Sequence, residues 1–222
     1  MTSVFTWRDE SGAPCVVIRD ALDKDGMSNI IRECKDKVYR GSHVLPDGTL
    51  EYDNNVQRNS DVFFFSDKNL YDVVMAYVMT ANYEAGWRYD IVDSEQFQFT
   101  VYDGKKKQHY DWHTDGQCDH WNKRQSITWH KPEHINLRYT PQANLLDTVR
   151  KISVSIVLND NYEGGSLWFR TLDDKSDLKE VEVKPRAGDM IVFPSFIDHK
   201  VPPVTKGIRY SIVAWFGGPP FK

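Results

Sequence analysis

The stretch "GDMIVFPSFIDHKVPPVTKGIRYSIVAWF" (residues 188–216) carries two runs of β-branched and aromatic residues, "MIVFP" and "RYSIVAWF". Each is bounded by Gly, Asp, Pro or Lys and is too short for a buried helix, so both read as buried strands. His199 sits after the first run, near a strand start. Arg209 opens the second, and "VTKG" between them reads as a hairpin turn. The same vocabulary recurs upstream. "EQFQFTVYDG" (95–104) alternates, with Phe97, Phe99 and Val101 on one face, and "RKISVSIVLND", "SLWFR" and "LKEVEVKP" follow. Many short strands with turn signals between them argue for a sandwich, barrel or jelly roll rather than βαβ units.

Ahead of these strands the pattern is mixed. "CVVIRDAL" (15–22) reads as a short buried strand. Residues 23–38 read as an amphipathic helix with Met27, Ile30, Ile31 and Cys34 on one face. Residues 69–86 read as a second, apolar at Leu70, Val73, Val74, Tyr77 and Val78 and ended by Gly86. "LPDGTLEYDNN" (45–55) is turn-rich. The fold expected is mainly β with flanking helices, an α+β chain whose β core is buttressed by N-terminal helices. We read residues 1–222 as one domain, with a strand and helical buttress over 1–92 and a core over 93–217. Residues 116–149 have no sustained period and form a loop insertion, which fits a lid, an oligomer contact or a decoration equally well.

Bulk properties exclude several classes. The 222 residues are 40% hydrophobic and 27% charged, with a formal net charge of −4. That is ordinary globular composition without the basic stripe of a nucleic-acid binder. Lys105-Lys106-Lys107 reads as a solvated turn. Cys15, Cys34 and Cys118 are odd in number and widely spaced, which fits a reducing compartment better than a disulfide framework. No signal-peptide pattern and no membrane-length apolar run occurs, so the expected location is cytoplasmic.

The chemistry-bearing residues cluster in "QHYDWHTDG" (108–116), which holds two overlapping His-x-Asp patterns, His109-Asp111 and His113-Asp115. One copy alone is weak evidence. On a strand, residues i and i+2 share a face, so an imidazole and a carboxylate can reach one ion. A second histidine from elsewhere would complete a two-histidine, one-carboxylate set that leaves three metal positions open, as in non-haem Fe(II) oxygenases. His199 is the best donor. If the strands of His199 and Arg209 are antiparallel neighbours, the offset between them suits a five-carbon dicarboxylate held by arginine, whose planar fork binds a carboxylate bidentately. Taken alone, a buried arginine in a β protein is more often part of a structural ion pair.

From about residue 93 to 217 the chain resembles the prolyl 4-hydroxylase-like 2-oxoglutarate- and Fe(II)-dependent dioxygenases, and in particular the PKHD-type hydroxylases. The resemblance is carried by "VYDGKKKQHYDWHTD", "RKISVSIVLND-NYEGGSLWF", "KPRAGDMIVFPSFIDHKVPPVTKGIRYSIVAWF" and "GGPPF", in the family's order. It implies a double-stranded β-helix, the cupin-like jelly roll. It implies Fe(II) held by His113, Asp115 and His199, and 2-oxoglutarate held at its distal carboxylate by Arg209 and Tyr102, with Ser211 on the same strand face. It implies O2 as co-substrate and L-ascorbate as an optional reductant. The substrate class implied is a peptide, a protein or an amino acid hydroxylated at an aliphatic C–H. A viral source would make the location the host cytoplasm. The family's spacing from Tyr102, Gly104 and Tyr110 selects His113-Asp115 over His109-Asp111. Turn placement agrees, since the lysines mark the closed end of this strand and Asp115-Gly116 its exit. Tyr162 and the "EGG" after it match a family turn. Where many members carry an aromatic, this chain offers Ser153, Ser155 and Val157, so its cofactor pocket is expected to be shaped differently.

Three rival readings remain. "HKPEH" (130–134) matches a zinc-hydrolase pattern, but Pro132 between the histidines works against the continuous helix that chemistry needs. A nucleic-acid demethylase carries a second arginine six residues after the first, where this chain has Trp215. A non-catalytic jelly-roll binding module would have no need of all three ligands and Arg209. Trp112, Trp121 and Trp129 are open between lining a substrate site and packing the loop. For the doublet the expectation is direct: His113→Ala abolishes stoichiometric Fe(II) or Co(II) binding in a titration, whereas His109→Ala leaves it within about twofold of wild type.

Overall fold

Phe97, Phe99 and Val101 alternate with Gln98, Thr100 and Tyr102 along one strand, and all six are buried. A strand buries both faces only when each is covered by a further layer. In the computed structural model that condition is met by helices on one side and a second sheet on the other. The structure describes residues 5–6, 12–40, 43–44, 50–51, 57–116, 148–172 and 175–221.

In chain order the described strands are β1 (Phe5–Thr6), β2 (Val16–Ile18), β3 (Tyr39–Arg40), β4 (His43–Val44), β5 (Leu50–Glu51), β6 (Arg58–Asn59), β7 (Asp61–Phe65), β8 (Asp93–Ser94), β9 (Phe97–Asp103), β10 (His109–His113), β11 (Val149–Val157), β12 (Tyr162–Gly164), β13 (Leu167–Leu172), β14 (Leu178–Val183), β15 (Met190–Pro194), β16 (His199–Val201) and β17 (Val204–Gly218). The helices are α1 (Lys24–Cys34) and α2 (Lys68–Glu84). The main sheet runs β1-β2-β15-β11-β17-β9-β7-β3, with β8 and β12 paired to β17. The smaller sheet runs β14-β13-β16-β10-β6. The described pairings are antiparallel. The chain alternates between sheets as it goes, giving the jelly roll expected from the strand pattern.

Each helix starts on an aspartate. The Asp23 side chain accepts from the Gly26 amide (2.7 Å), and that of Asp67 accepts from the Leu70 amide (2.9 Å). Each satisfies an amide that the first helical turn leaves free. The apolar stripe of α2, Leu70, Val74, Val78 and Ala81, packs with Phe97, Phe99, Ile152, Ile212 and Phe216 of the main sheet. Full burial of each large apolar side chain here contributes roughly 1.5–3 kcal/mol. Val73, expected on that stripe, is 43% exposed. The helix turns it out of register with Val74, and Ala81 takes the place further along.

The opposite face of the main sheet looks into the space between the sheets. Val17, Ile191 and Phe193 meet Leu167, Phe169 and Val181 there in a second apolar cluster. Toward β9 and β17 the lining becomes polar, with Gln98, Thr100, Ser153, Ser155, Arg209 and Ser211 all buried. This change of chemistry along one sheet face marks out the pocket.

One expectation about connection fails. "VTKG" is not a hairpin turn: Val204–Gly207 already belongs to β17 and pairs with β12. The chain turns instead at Pro202-Pro203, where two prolines remove consecutive N–H donors from any ladder. That turn moves it from the smaller sheet to the main sheet, so the strands of His199 and Arg209 are not neighbours. The offset argument along one sheet therefore does not apply, because the two side chains come from opposite walls.

The expected glycine turn is present. Gly164 and Gly165 both have positive φ, +77° and +64°. A side chain on Gly165 would lie 2.6 Å from Val204 Cγ2 and 3.2 Å from Arg209 Cδ. Only glycine lets β12 and its exit press against the arginine stem.

Candidate active site

His113 closes β10 and His199 opens β16, and the two are cross-strand partners. Asp115 lies just past the end of β10. Its amide and that of Gly116 both donate to the Ser195 carbonyl, at 2.9 and 3.0 Å. The pair is thus not simply i and i+2 on a strand: a two-pronged backbone tie to the β15 exit turns the carboxylate toward the histidines. Asp115 Oδ1 stands 3.7 Å from His113 Nε2 and Oδ2 stands 3.5 Å from His199 Nε2. One ligand atom from each of the three residues lies within 4.8 Å of the others, and this is the one such group among the described residues.

Both imidazoles are held in the orientation a metal requires. His113 Nδ1 donates to the Asp111 carbonyl (2.7 Å), and His199 Nδ1 donates to the Ile197 carbonyl (2.9 Å). A carbonyl only accepts, so each Nδ1 carries a proton and Nε2 is the ring nitrogen turned toward Asp115. Ring contacts complete the support. Tyr110 lies 3.4 Å from the His113 ring, and Phe193 lies 4.7 Å from His199. Burial, reinforced by His199, pushes the His113 imidazole down to about 3, so it is neutral and ligand-ready at neutral pH. Burial works to raise the Asp115 carboxyl. His199, His113, Arg150 and a hydrogen bond from Ser153 outweigh it and hold the group at about 2, ionised.

Asp115 is then a buried anion whose only ion-pair contacts among the described residues are histidines. Such a charge calls for a cation. The donor set, two imidazole nitrogens and a carboxylate on one side, suits a divalent metal with open positions.

Arg209 presents the converse problem. It is 2% exposed, one of the largest fully buried side chains, and no carboxylate pairs with it among the described residues. One Nη donates to Ser211 Oγ (2.9 Å), and Nε has no partner. Tyr102 lies directly across the β17–β9 ladder, its ring 5.5 Å from the guanidinium carbon. Burial pushes its phenol up, so it stays a neutral donor. No structural ion pair that would explain a buried arginine is found among the described residues. A guanidinium, a hydroxyl and a phenol together fit a ligand carboxylate.

The second histidine pattern joins no metal-ligand group among the described residues. His109 Nδ1 bonds the Lys107 carbonyl, and Asp111 accepts from the Trp112 amide at an exposed position. Trp112 faces outward between Arg170 (3.9 Å) and Lys200 (4.3 Å) and so does not line the pocket. Trp121, Trp129, His130 and His134 lie outside the described residues.

Sequence reasoning missed a clamp. Arg150 binds Glu95 through both carboxylate oxygens, at 2.5 and 2.6 Å, with both side chains largely buried. Its other nitrogen donates to the Asp115 carbonyl (3.0 Å), and its plane lies 4.1 Å over Trp215. Glu95 and Arg150 are 55 residues apart, and no periodicity links them. Removing the Glu95 charge strands a buried guanidinium beside the metal loop. Glu95→Gln should destabilise the fold by about 3 kcal/mol, seen as a lower thermal midpoint, and weaken Co(II) affinity by roughly tenfold in a spectroscopic titration.

Comparison with known proteins agrees with this geometry. The family model for the 2OG-Fe(II) oxygenase superfamily matches residues 97–217. A PKHD-type hydroxylase of Thermosynechococcus vestitus is 46% identical over 66 residues, covering 29% of this chain and 27% of that protein. Prolyl 3-hydroxylase 1 of Gallus gallus is 39% identical over 71 residues, covering 31% of this chain and 10% of its own. The matched part is therefore about a quarter or less of those relatives' lengths. Among solved structures, the viral collagen prolyl hydroxylase of Paramecium Bursaria Chlorella virus-1 superposes with a TM-score of 0.58 at 16% identity, covering 93% of this chain and 97% of that one. A Pseudomonas putida prolyl-4-hydroxylase gives 0.57 at 18% identity, covering 92% of both. At these identities the superpositions establish a shared fold.

Proposed function

Because the chain belongs to the 2OG-Fe(II) oxygenase superfamily, we propose that it is an Fe(II)- and 2-oxoglutarate-dependent dioxygenase that hydroxylates an aliphatic C–H. Its reaction is prolyl hydroxylase-like, on a peptide, protein or amino-acid substrate. The observation that carries the reading is the pair of unmatched buried charges, Asp115 among its histidines and Arg209 beside Ser211 and Tyr102. The whole chain acts as one catalytic unit in this reading, since β2 and β7 from the first 92 residues pair with β15 and β9 of the core.

His113, Asp115 and His199 would hold the iron. Arg209, with Ser211 and Tyr102, would hold the distal carboxylate of 2-oxoglutarate. Bound together with O2, these cofactors supply the oxidising power: one oxygen atom enters the substrate C–H, and the other leaves in succinate as CO2 is released. The protein supplies ligation, orientation and a dry pocket. The two Nδ1–H bonds fix the imidazoles before metal arrives, so little reorganisation accompanies binding. Arg209 orients the cofactor from the far wall, and its buried fork discriminates for a carboxylate at the correct reach. Phe169 and Phe193 pack around His199 and exclude water from that side.

No described helix is long and apolar enough to cross a membrane. A cytoplasmic site of action is part of the proposal, in keeping with the buried free cysteine Cys34.

Anaerobic addition of Fe(II) and 2-oxoglutarate to the protein should produce the weak visible charge-transfer band of a chelated keto acid. In Arg209→Ala the 2-oxoglutarate concentration for half-maximal band should rise on the order of 10- to 100-fold with iron binding retained, as expected for losing a charged hydrogen-bond pair. No band with wild type, or parallel loss of iron and cofactor binding in the variant, would contradict the assignment.

A further inference from the structure

Arg58 is a second guanidinium of this pocket without an acid partner among the described residues. It comes from β6, ahead of the segment that matches the family model. Its Nε donates to Ser60 Oγ (3.0 Å) and one Nη donates to Gln98 Oε1 (3.2 Å). Gln98 in turn donates to Thr100 Oγ1 (2.8 Å), which leaves its own position fixed. The guanidinium carbon lies 4.8 Å over the Tyr110 ring, and that ring stacks 3.4 Å from His113. Arg58 therefore stands no farther from this metal-ligand imidazole than those two distances combined. It also neighbours the cofactor end. Burial pushes the Tyr102 phenol up, and Arg58 is the strongest charge opposing that, ahead of Arg209.

The other arginines near the site are neutralised: Arg150 by Glu95, and Arg170 by Asp198 and Glu180. Arg58 is half-buried, held on three sides by uncharged groups, and keeps three of its five N–H groups for a ligand. The cofactors do not use it, because the metal answers Asp115 and the distal carboxylate answers Arg209. One positive charge at the pocket wall is left over.

We propose that Arg58 anchors a carboxylate of the substrate, so that the enzyme selects substrates bearing a carboxylate within a few bonds of the carbon it hydroxylates. This rests on the dioxygenase reading of the same site. The carboxylate is either the α-carboxylate of a free or terminal amino acid or the side chain of a neighbouring acidic residue. Both are planar anions of the shape a guanidinium edge binds. The hydrogen bonds to Ser60 and Gln98 pre-orient the group, so little rotamer freedom is lost on binding.

The test compares matched acid and amide probes with the iron-loaded protein, 2-oxoglutarate and O2, read as succinate formed and mass gained by the probe. One pair is L-proline and L-prolinamide. The other is an end-blocked prolyl peptide with a neighbouring aspartate and its asparagine counterpart. Wild type should prefer the acid of one pair, which identifies the source of the carboxylate. Arg58→Gln should raise the KM of that acid on the order of 10- to 100-fold, bring it level with the amide, and leave the anaerobic charge-transfer band and its 2-oxoglutarate requirement unchanged. Arg58→Lys should recover part of the preference. No preference for the acid in either pair overturns the proposal, as does a preference that survives Arg58→Gln. A rise in the 2-oxoglutarate requirement instead would assign Arg58 to the cofactor and also overturn it. Loss of the charge-transfer band in wild type would overturn the dioxygenase reading itself, so the two failures are distinguishable.

Discussion

A charge taken out of water must be matched, and among the described residues Asp115 has only histidines at ion-pair distance and Arg209 has no carboxylate. Leaving an ionised group buried and unpaired costs several kcal/mol, a large share of the roughly 5–15 kcal/mol by which a domain is stable. Asp115 follows β10 of the smaller sheet and is tied through Ser195 to the exit of β15, and Arg209 stands on the main sheet across from Tyr102. A metal and a dicarboxylate together complete both. The rest of the fold keeps these two groups apart, dry and aimed into one space.

That separation explains the layering. The helices cover the outer face of the main sheet, so its inner face is free to turn polar where β9, β11 and β17 run side by side. Gly165 lets the chain pass against the Arg209 stem, and Phe169 and Phe193 close the space behind His199. Glu95 and Arg150 hold the carbonyl of the residue whose side chain faces the histidines. Packing, backbone ties and a neutralised ion pair thus all converge on the same few ångströms.

Much of this was legible in the sequence. Alternation in "EQFQFTVYDG" and the β-branched runs foretold strands with two dissimilar faces, and the structure buries Phe97, Phe99 and Val101 as expected. His113, Asp115 and His199 converge as their spacing and the family resemblance implied. The route to Arg209 was misjudged, because "VTKG" has hairpin chemistry but the two prolines before it take the turn. Local propensity cannot say which of two adjacent turn signals the sheets will use. Arg58, Glu95 and Arg150 were not visible as site residues for another reason. Their roles come from partners tens of residues away, and an isolated arginine in a sequence does not reveal whether it is paired. The His109 copy differs in register: it falls opposite Asn59 at the closed end of β10, away from the cluster that His113, Asp115 and His199 form among the described residues.

If the two buried charges are completed by one metal–cofactor assembly, the binding of each partner must assist the other by the same factor. Calorimetric titration of 2-oxoglutarate into metal-free protein, and into protein saturated with Mn(II), measures that coupling. The account predicts that Mn(II) tightens 2-oxoglutarate on the order of tenfold or more, and that 2-oxoglutarate tightens Mn(II) equally. Equal 2-oxoglutarate affinity with and without Mn(II) would contradict it.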